Sequence, residues 1–340
     1  MPSVTIAPST ASADPIIHRK TIMSLNIAVV MDPIERINIK KDSTIAMLWA
    51  AAASGHHLWY MEQPDLFVRD GDAFGDMAPL HVFESTEKWF EKGGRETRKL
   101  ADMDVILMRK DPPFDMNFIY TTYILEKAEA DGVVVVNKPQ SLRDCNEKFF
   151  ATLFPHCMVP TLISGDMKKL RAFVHEQQDA IVKPLDGMGG SGIFRLTAGG
   201  PNIGAVLETL TGNGNHPAMA QRYIPEITDG DKRILMIDGE PIPYTLARIP
   251  QGDEVRGNLA AGGIGEPRLL TPKDRWLAQQ VGPELKKRGL IFVGLDVIGE
   301  YITEINVTSP TCIREIDAQY GYGIAERLMQ VLERKVATRA

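Results

Sequence analysis

The stretch from residue 291 to residue 310, IFVGLDVIGEYITEINVTSP, constrains the fold more than any other part of the chain. An apolar run, a Gly-Glu turn and an alternating segment follow one another, which predicts two strands joined by a tight turn. Residues i and i+2 of a strand share a face, so Glu304 and Asn306 point together, and Asp296 could face them across the hairpin. Two carboxylates and an amide carbonyl suit Mg²⁺. On its own, a pattern of this kind more often marks the solvent-exposed face of a hairpin. The metal hypothesis therefore needs a phosphate-binding segment elsewhere in the chain.

A candidate partner lies around residues 183–192. Lys183 belongs to an apolar strand, and four glycines follow within the six residues 187–192. Glycines permit positive φ and let backbone N–H groups converge on an anion. The run is not a P-loop, because no Lys-Ser/Thr pair follows the glycines, and it continues as a strand, which predicts a hairpin flap. Taken alone, such a run is also what a flexible turn contains.

The region before residue 138 alternates strands with helices, which predicts an open, mostly parallel α/β domain. Strands are predicted at 25–31, 57–62, 105–108 and 133–137, and helices at 43–53 and 120–130. Ligands of such sheets bind at the carboxyl ends of strands, where Asp32 and Arg109 lie. The planar fork of Arg109 could bind a substrate carboxylate, and a surface salt bridge explains its position equally well.

A second alternation begins after residues 139–148, which break the pattern and mark a boundary. Strands are predicted at 158–163, 180–184, 218–224, 234–237 and 240–247, and helices at 168–178, 272–288 and 323–336. Residues 249–265 carry five glycines and no apolar periodicity, which predicts a long mobile loop. A disordered surface loop without a role is the alternative.

Composition excludes several function classes. The chain has 340 residues and a net charge of −6, so no basic footprint for nucleic acid is present. No apolar run approaches the roughly 18 residues of a membrane span. Three widely spaced cysteines form neither a metal motif nor a disulfide framework, which predicts a cytoplasmic protein. Residues 1–23 are expected to be a disordered leader or an over-called start, without a secretory signal.

The order of lysine, glycine flap, long glycine-rich loop and Asp…Glu-x-Asn resembles the ATP-grasp superfamily of carboxylate–amine ligases. Seven specific runs resemble the bacterial glutathione synthetases: NKPQSLRDCNEK, VKPLDGMGGSG, DGDKR, LARIPQG, RGNLAAGG, GLDVIG and TEINVTSPTCIRE. The resemblance covers residues 23–331. It implies an α/β and α+β ATP-grasp fold with an N-terminal substrate-binding domain (24–147), a lid domain (148–225) and a C-terminal catalytic domain (226–336).

The resemblance also implies the reaction, in which γ-glutamylcysteine and glycine are joined while ATP is cleaved to ADP and phosphate. Mg²⁺, with Mn²⁺ as an alternative, would be held by Asp296, Glu304 and Asn306. Arg233, Arg248 and Arg256 would stabilise developing charge. The implied ATP-binding residues are Lys148, Lys183, Gly187, Met188, Gly189, Gly190, Gln221, Tyr223, Ile224 and Asp231. The candidates for the dipeptide are Arg109, Ser309, Thr311 and Glu315. The family is commonly tetrameric, so a homo-oligomer is expected, with neither nucleic acid nor membrane as a partner.

Two alternatives share much of this pattern. A D-alanine–D-alanine ligase or a glutamate-adding enzyme would keep the metal and lysine residues, and only the substrate side separates them. A non-catalytic ATP-binding protein on the same fold would be expected to have lost metal ligands, whereas this chain has all three. The cysteines are expected to be buried apolar residues, since the reaction needs no covalent enzyme nucleophile.

Overall fold

The chain folds into three β-sheets with helices packed against them. The computed structural model describes residues 24–252, 254 and 256–339. The predicted leader, residues 1–23, lies outside the described residues.

The first sheet belongs to the N-terminal part of the chain. Its elements are β1 (Asn26–Val30), α1 (Ser43–Ala53), β2 (His57–Met61), β3 (Leu66–Arg69), β4 (Asp72–Val82), β5 (Phe90–Lys92), β6 (Glu96–Lys99), β7 (Val105–Met108), α2 (Met116–Ala130), β8 (Val134–Val136) and α3 (Pro139–Asp144). Strands β2, β1, β7 and β8 are parallel neighbours, as predicted. Their buried apolar residues read as continuous runs because helices cover both faces of a parallel sheet.

An antiparallel extension of this sheet was not predicted. Strand β4 pairs with β2, and β3, β5 and β6 pair with β4. The strands β5 and β6 are short and mostly exposed, so they lack the apolar runs that identified the parallel strands. Their pairing depends on β4, which only the folded chain brings beside them.

The second sheet has a hydrophobic core of its own. Its elements are β9 (Thr161–Ser164), α4 (Met167–Gln177), β10 (Asp179–Pro184), β11 (Phe194–Thr197), α5 (Ile203–Thr211) and β12 (Ala218–Arg222). The strand order is β11-β10-β12-β9, and neighbouring strands are antiparallel. Helix α4 contributes Leu170 and Val174 to a core that also contains Val182 and Ala220.

The third sheet contains the hairpin from which the sequence argument began. Its elements are β13 (Asp231–Ile237), β14 (Glu240–Ile249), β15 (Ile264–Leu269), α6 (Pro272–Lys287), β16 (Phe292–Ile298), β17 (Tyr301–Asn306), α7 (Ile313–Tyr320) and α8 (Ile324–Ala337). The strand order is β15-β14-β13-β16-β17. Arg233 is the register partner of Asp296, and Asp296 is the partner of Glu304. Register partners share a face of a sheet, so these three side chains form a polar row across three strands.

The C-terminal helix joins the first and third sheets. Leu328 and Leu332 of α8 pack in one buried cluster with Ile27 and Val29 of β1 and Leu235 of β13. The first and third sheets therefore share buried apolar surface, whereas the second sheet packs around its separate core.

Candidate active site

A cavity of about 290 Å³ lies where the three parts of the chain meet. Its polar lining contains most of the residues that the sequence singled out. Those lining residues are Lys148, Lys183, Gly187, Met188, Gly189, Gly190, Gln221, Tyr223, Ile224, Asp231, Arg233, Arg248, Arg256, Asp296, Glu304, Asn306, Ser309 and Thr311. The fold thus gathers residues that are up to 163 positions apart, from Lys148 to Thr311. Their individual roles stay predictions.

Asp296 is held by two buried arginines at the floor of this cavity. Arg233 donates to both of its carboxylate oxygens, and Arg248 Nη2 lies 3.0 Å from Asp296 Oδ2. Burial alone would raise the pKa of Asp296, but the two guanidinium charges outweigh burial and hold that pKa below its usual range. Asp296 is therefore a carboxylate at neutral pH.

The two lysines approach the same floor from different parts of the chain. Lys148 Nζ donates to Glu304 Oε1 at 3.1 Å and to the Gly187 carbonyl at 2.6 Å. Lys183 Nζ donates to the Thr303 carbonyl at 3.2 Å. Burial lowers the pKa of Lys183 to about 8, although Glu304 opposes this shift. Asn306 contacts the register partner opposite it, with Nδ2 at 3.4 Å from the Gly294 carbonyl.

Asp231 is a second buried carboxylate beside the same arginines. Its Oδ2 accepts a hydrogen bond from Arg248, its register partner on β14, while Oδ1 has no hydrogen-bond partner among the described residues. Burial raises the pKa of Asp231 to about 6, and the Asp296 charge adds to this effect while Arg248 opposes it. An unpartnered buried oxygen in a cavity wall is a candidate acceptor for a ligand hydroxyl.

The glycine flap and the loop that follows β14 contact each other over the cavity. Arg256 Nη1 donates to the Gly190 carbonyl at 3.1 Å, and its guanidinium also pairs with Glu254. Gly190 has φ +86, and a Cβ there would lie 2.8 Å from Asn258 Oδ1. Glycine is therefore required at this contact by both backbone conformation and space.

The loop is shorter and more tightly packed than the sequence indicated. Ile249 belongs to β14, β15 begins at Ile264, and a single 3₁₀ turn spans Leu259–Ala261. A Cβ at Gly257 would lie 2.3 Å from the Arg248 carbonyl, and one at Gly263 would lie 2.2 Å from the Gly257 carbonyl. The mobility of this loop stays a prediction, but its glycines at 257 and 263 are closely packed. They permit close approach of backbone to backbone, which a sequence pattern does not distinguish from flexibility.

Strand β12 and the residues after it form another wall of the cavity. The buried Gln221 donates to Thr161 Oγ1 at 3.3 Å, and the backbone N–H of Tyr223 donates to the Asp179 carbonyl at 3.0 Å. The Arg195 guanidinium lies over the Tyr223 ring, 3.7 Å from its centroid. Ile224 is buried and adds apolar surface.

The four predicted dipeptide residues are divided between the cavity and the interior. Ser309 and Thr311 line the cavity, but Arg109 and Glu315 are absent from its lining. Arg109 is buried and donates to Thr44 Oγ1 at 3.1 Å and to the Pro310 carbonyl at 2.9 Å. Burial raises the pKa of Glu315, whose Oε2 has no hydrogen-bond partner among the described residues.

Two acidic residues of the lining, Asp111 and Glu147, were missed by the sequence argument. Asp111 accepts a hydrogen bond from Ser309 Oγ, and its own backbone N–H is held by Asp32 at 3.0 Å. Glu147 Oε1 accepts hydrogen bonds from Val307 and Thr308. Asp111 lies two positions after Arg109, and Glu147 lies inside the run NKPQSLRDCNEK directly before Lys148, but the sequence argument assigned neither residue a role. Burial, and then repulsion from Glu304, raises the pKa of Glu147.

The cysteines agree with the sequence argument. Cys145, Cys157 and Cys312 are unpaired and buried, and burial raises the pKa of each thiol. Across the described part of the chain, no helix is long and apolar enough to span a bilayer. Within the same residues, no three His, Cys, Asp or Glu side chains are grouped so that they could hold a metal ion, and the predicted set contains two carboxylates and one amide.

Family models match two consecutive parts of the chain. The N-terminal domain of prokaryotic glutathione synthetase matches residues 25–143, and the ATP-grasp domain of prokaryotic glutathione synthetase matches residues 147–321. The chain belongs to the prokaryotic glutathione synthetase family. The family resemblance, the ATP-grasp fold and the prediction of an ATP-dependent carboxylate–amine ligase are thereby confirmed.

Relatives and a solved structure agree with this membership. A glutathione synthetase of Pseudomonas syringae pv. tomato is 62% identical over 317 residues, which cover 93% of this chain and 99% of the relative. A glutathione synthetase of Salmonella typhimurium is 56% identical over 313 residues, covering 92% of this chain and 99% of the relative. The crystal structure of the D-cycloserine synthetase DcsG superposes with a TM-score of 0.62 over 92% of this chain and 99% of its own, at 13% identity, and supports the fold alone.

Proposed function

We propose that the chain ligates γ-glutamylcysteine and glycine to glutathione, with cleavage of ATP to ADP and phosphate through an acyl phosphate. The observation that carries the proposal is the convergence of Lys148, Lys183, Arg233 and Arg248 on one cavity with Asp296 and Glu304. An amine does not attack a carboxylate at a useful rate, because the anion repels it and oxide cannot leave. Phosphorylation of the carboxylate removes both obstacles, provided that water is excluded.

The cations of the cavity are placed to offset the charge of the ATP phosphates. Lys148 contacts Glu304 and Lys183 contacts the neighbouring Thr303 carbonyl, and the flap Gly187–Gly190 would supply backbone N–H groups. Arg233 and Arg248 are rigidly held by Asp296, so they stabilise the transferring phosphoryl group and the tetrahedral intermediate without reorganising.

The oxygen ligands fit Mg²⁺, or Mn²⁺ in its place. Asp296 and Glu304 are register partners on one face, and the Asn306 carbonyl lines the same cavity. Carboxylates and an amide oxygen are the donor set that a hard cation prefers, and phosphate oxygens and water complete its shell. A cation held by these residues would supply positive charge that offsets the charge of the ATP phosphates.

The remaining nucleotide contacts follow from the cavity wall. Adenine is assigned to the surface of Gln221, Tyr223 and Ile224, and Met188 of the flap lies over the cavity. The unpartnered Oδ1 of Asp231 is the proposed acceptor for a ribose hydroxyl. Arg256 would approach the anionic intermediate from the loop that contacts the flap.

The dipeptide is assigned to the side of the cavity formed by Ser309 and Thr311. Asp111 joins them, because its carboxylate forms no ion pair among the described residues and would complement the α-ammonium of γ-glutamylcysteine. Arg109 holds the Pro310 carbonyl, so we assign it to the support of this segment in addition to its proposed contact with a substrate carboxylate. Glu315 stays a candidate through its unpartnered oxygen.

Three broader predictions also belong to the proposal. The division at 24–147, 148–225 and 226–336 is supported by the presence of one sheet in each range. The unpaired buried cysteines support a reducing, cytoplasmic setting. A tetramer is carried over from the family resemblance.

Labelled ATP tests the proposed reaction. Acyl phosphate formation needs ATP, metal and the dipeptide, so positional exchange of oxygen in the β,γ bridge of ATP should occur with γ-glutamylcysteine in the absence of glycine. Addition of glycine should then give glutathione and ADP in equal amounts. Exchange that strictly required glycine would contradict a separate intermediate, and D-alanine as the preferred acid substrate would favour the alternative ligase.

A further inference from the structure

Glu147 makes an unusual set of contacts with the segment that follows β17. Its Oε1 accepts three hydrogen bonds, from the backbone N–H of Val307 at 2.8 Å, the backbone N–H of Thr308 at 2.9 Å and the Thr308 hydroxyl at 2.8 Å. Its backbone carbonyl accepts a fourth, from the N–H of Ile305 at 2.9 Å.

These contacts lie on both sides of Asn306 along the chain. Strand β17 is the edge strand of its sheet, paired with β16 on one side. On its other side, residue 147 contacts the chain both before Asn306, at Ile305, and after it, at Val307 and Thr308. An edge strand without such contacts would be free to twist or fray, because its outward N–H groups lack partners.

The carboxylate of Glu147 lies where it is electrostatically unfavourable. It lines the cavity that also contains Glu304, and burial, followed by repulsion from Glu304, disfavours its charged form. The N–H groups of Val307 and Thr308 would lose their acceptor without it, and an unsatisfied buried donor is costly. The next residue, Lys148, contacts Glu304 directly. Two consecutive residues thus contact one proposed metal ligand, Glu304, and the backbone next to another, Asn306.

We propose that Glu147 is a positioning residue. It fixes the backbone on both sides of Asn306 and so holds the side-chain carbonyl of Asn306 in the proposed metal site. The inference rests on the proposed function. It predicts that loss of the Glu147 acceptor weakens metal binding in the presence of nucleotide, because outer partners of metal ligands orient those ligands. Binding of ADP in the absence of metal should change little.

Binding of Mn²⁺ to the full chain with saturating ADP, followed by the paramagnetic resonance signal of free Mn²⁺, tests the proposal. Glu147→Ala should raise the Mn²⁺ dissociation constant by about 10–100-fold, the usual effect of losing an outer-shell partner. Glu147→Gln should stay close to the wild type, because its amide oxygen has two lone pairs and can accept the two backbone hydrogen bonds from Val307 and Thr308.

Asp317→Ala is the matched control. Its carboxylate accepts backbone hydrogen bonds from Gly323 at 3.1 Å and Ile324 at 3.0 Å, at the start of α8 and outside the cavity lining. This variant should lower the melting temperature without changing Mn²⁺ affinity. If Glu147→Ala does not fold, Thr308→Val takes its place, because it removes one donor and should weaken Mn²⁺ binding less.

The outcomes separate this inference from the proposed function. A wild-type protein that does not bind Mn²⁺ with ADP would contradict the metal site itself, and the inference would fall with it. Tight Mn²⁺ binding by the wild type, with equal affinity in Glu147→Ala or in Thr308→Val, would overturn only the inference. Equal weakening in Glu147→Gln and Glu147→Ala would also overturn it, because charge rather than hydrogen bonding would then matter.

Discussion

Asp296 lies directly opposite Glu304 in the antiparallel pair of β16 and β17. The first carboxylate is held by arginines of its own sheet, whereas the second is held by Lys148, from the chain before the second sheet. Two like charges in register would repel, and like charges opposite each other destabilise a sheet. The paired cations offset this repulsion and leave an array of hard oxygens facing the cavity.

Removal of the Glu304 charge should abolish ligation and leave the fold intact. Glu304→Gln keeps the side-chain volume but removes a proposed metal-ligating carboxylate, so ADP release should fall by about 10²-fold or more, the scale of losing one charge-stabilising group. Coupled ADP assays measure the rate, and circular dichroism monitors the fold. Near-normal turnover of the Glu304→Gln variant at low Mg²⁺ would show that Glu304 is not a metal ligand.

Lys183 should give ATP binding a dependence on pH. Its pKa in the ATP-free fold is about 8, below the ordinary value of 10.5, so the folded chain loses this proton at lower pH than the unfolded chain. Between these values the unfolded state binds more protons, and this group makes the free energy of unfolding rise with pH. Phosphates favour the charged amine, so ATP binding above pH 8 should take up a proton and weaken as pH rises.

Titration calorimetry in buffers of different ionisation enthalpy measures this proton uptake. Lys183→Met should abolish the uptake and weaken ATP binding by about 1.5–3 kcal/mol, the range for a hydrogen bond to a charged group. Lys168→Met, at an exposed site of α4, is the matched control and should behave as the wild type. Unchanged uptake in Lys183→Met would assign the titration to another group.

Asp111 should determine affinity for the dipeptide more than the rate of chemistry. Asp111→Asn removes the carboxylate proposed to meet the α-ammonium, so KM for γ-glutamylcysteine should rise by the equivalent of about 1.5–3 kcal/mol while kcat changes little. Steady-state kinetics with the dipeptide varied provide the measurement. Asp131→Asn, an exposed change at the end of α2, should leave both constants unchanged. A fall in kcat at constant KM would contradict this assignment.

The contact between the flap and the loop should control access of water to the intermediate. An alanine at position 190 would meet Asn258 Oδ1 at 2.8 Å and Arg256 Cδ at 3.2 Å, so Gly190→Ala should separate the flap from the loop. Trypsin should then cut after Arg256 even with ATP and γ-glutamylcysteine bound, and the ratio of ADP to glutathione should rise because the acyl phosphate hydrolyses.

Gly252→Ala separates this effect from backbone strain. Gly252 also has a positive φ, of +60 compared with +86 at Gly190, but no atom of the described residues lies within 4 Å of its added Cβ. In the Gly252→Ala variant, ATP and γ-glutamylcysteine should still protect the loop from trypsin, and the ratio of ADP to glutathione should not rise. Equal behaviour of the two variants would mean that the contact between flap and loop has no part in excluding water.

The sequence determined the local structure and indicated most of the candidate residues that line the cavity. Hydrophobic periodicity is encoded within a few residues, so helix α1 and strand β7 were predicted with their observed bounds, and the hairpin of β16 and β17 was found from its alternation. The short exposed strands β5 and β6 carry no such local signal. The ordered runs of motif residues were sufficient for the family assignment.

The tertiary structure alone decided which of these residues meet. Arg109 and Ser309 both have polar side chains near predicted strand ends, yet packing of α1 against the first sheet buries Arg109 and leaves Ser309 in the cavity. Glu147 belongs to the run NKPQSLRDCNEK, but that run does not indicate what it contacts. It lies beside Asn306 because the edge of β17 is completed by a segment 159 positions earlier in the chain. Contacts of this kind depend on how the sheets pack over long sequence separations, and local side-chain patterns carry no information about that packing.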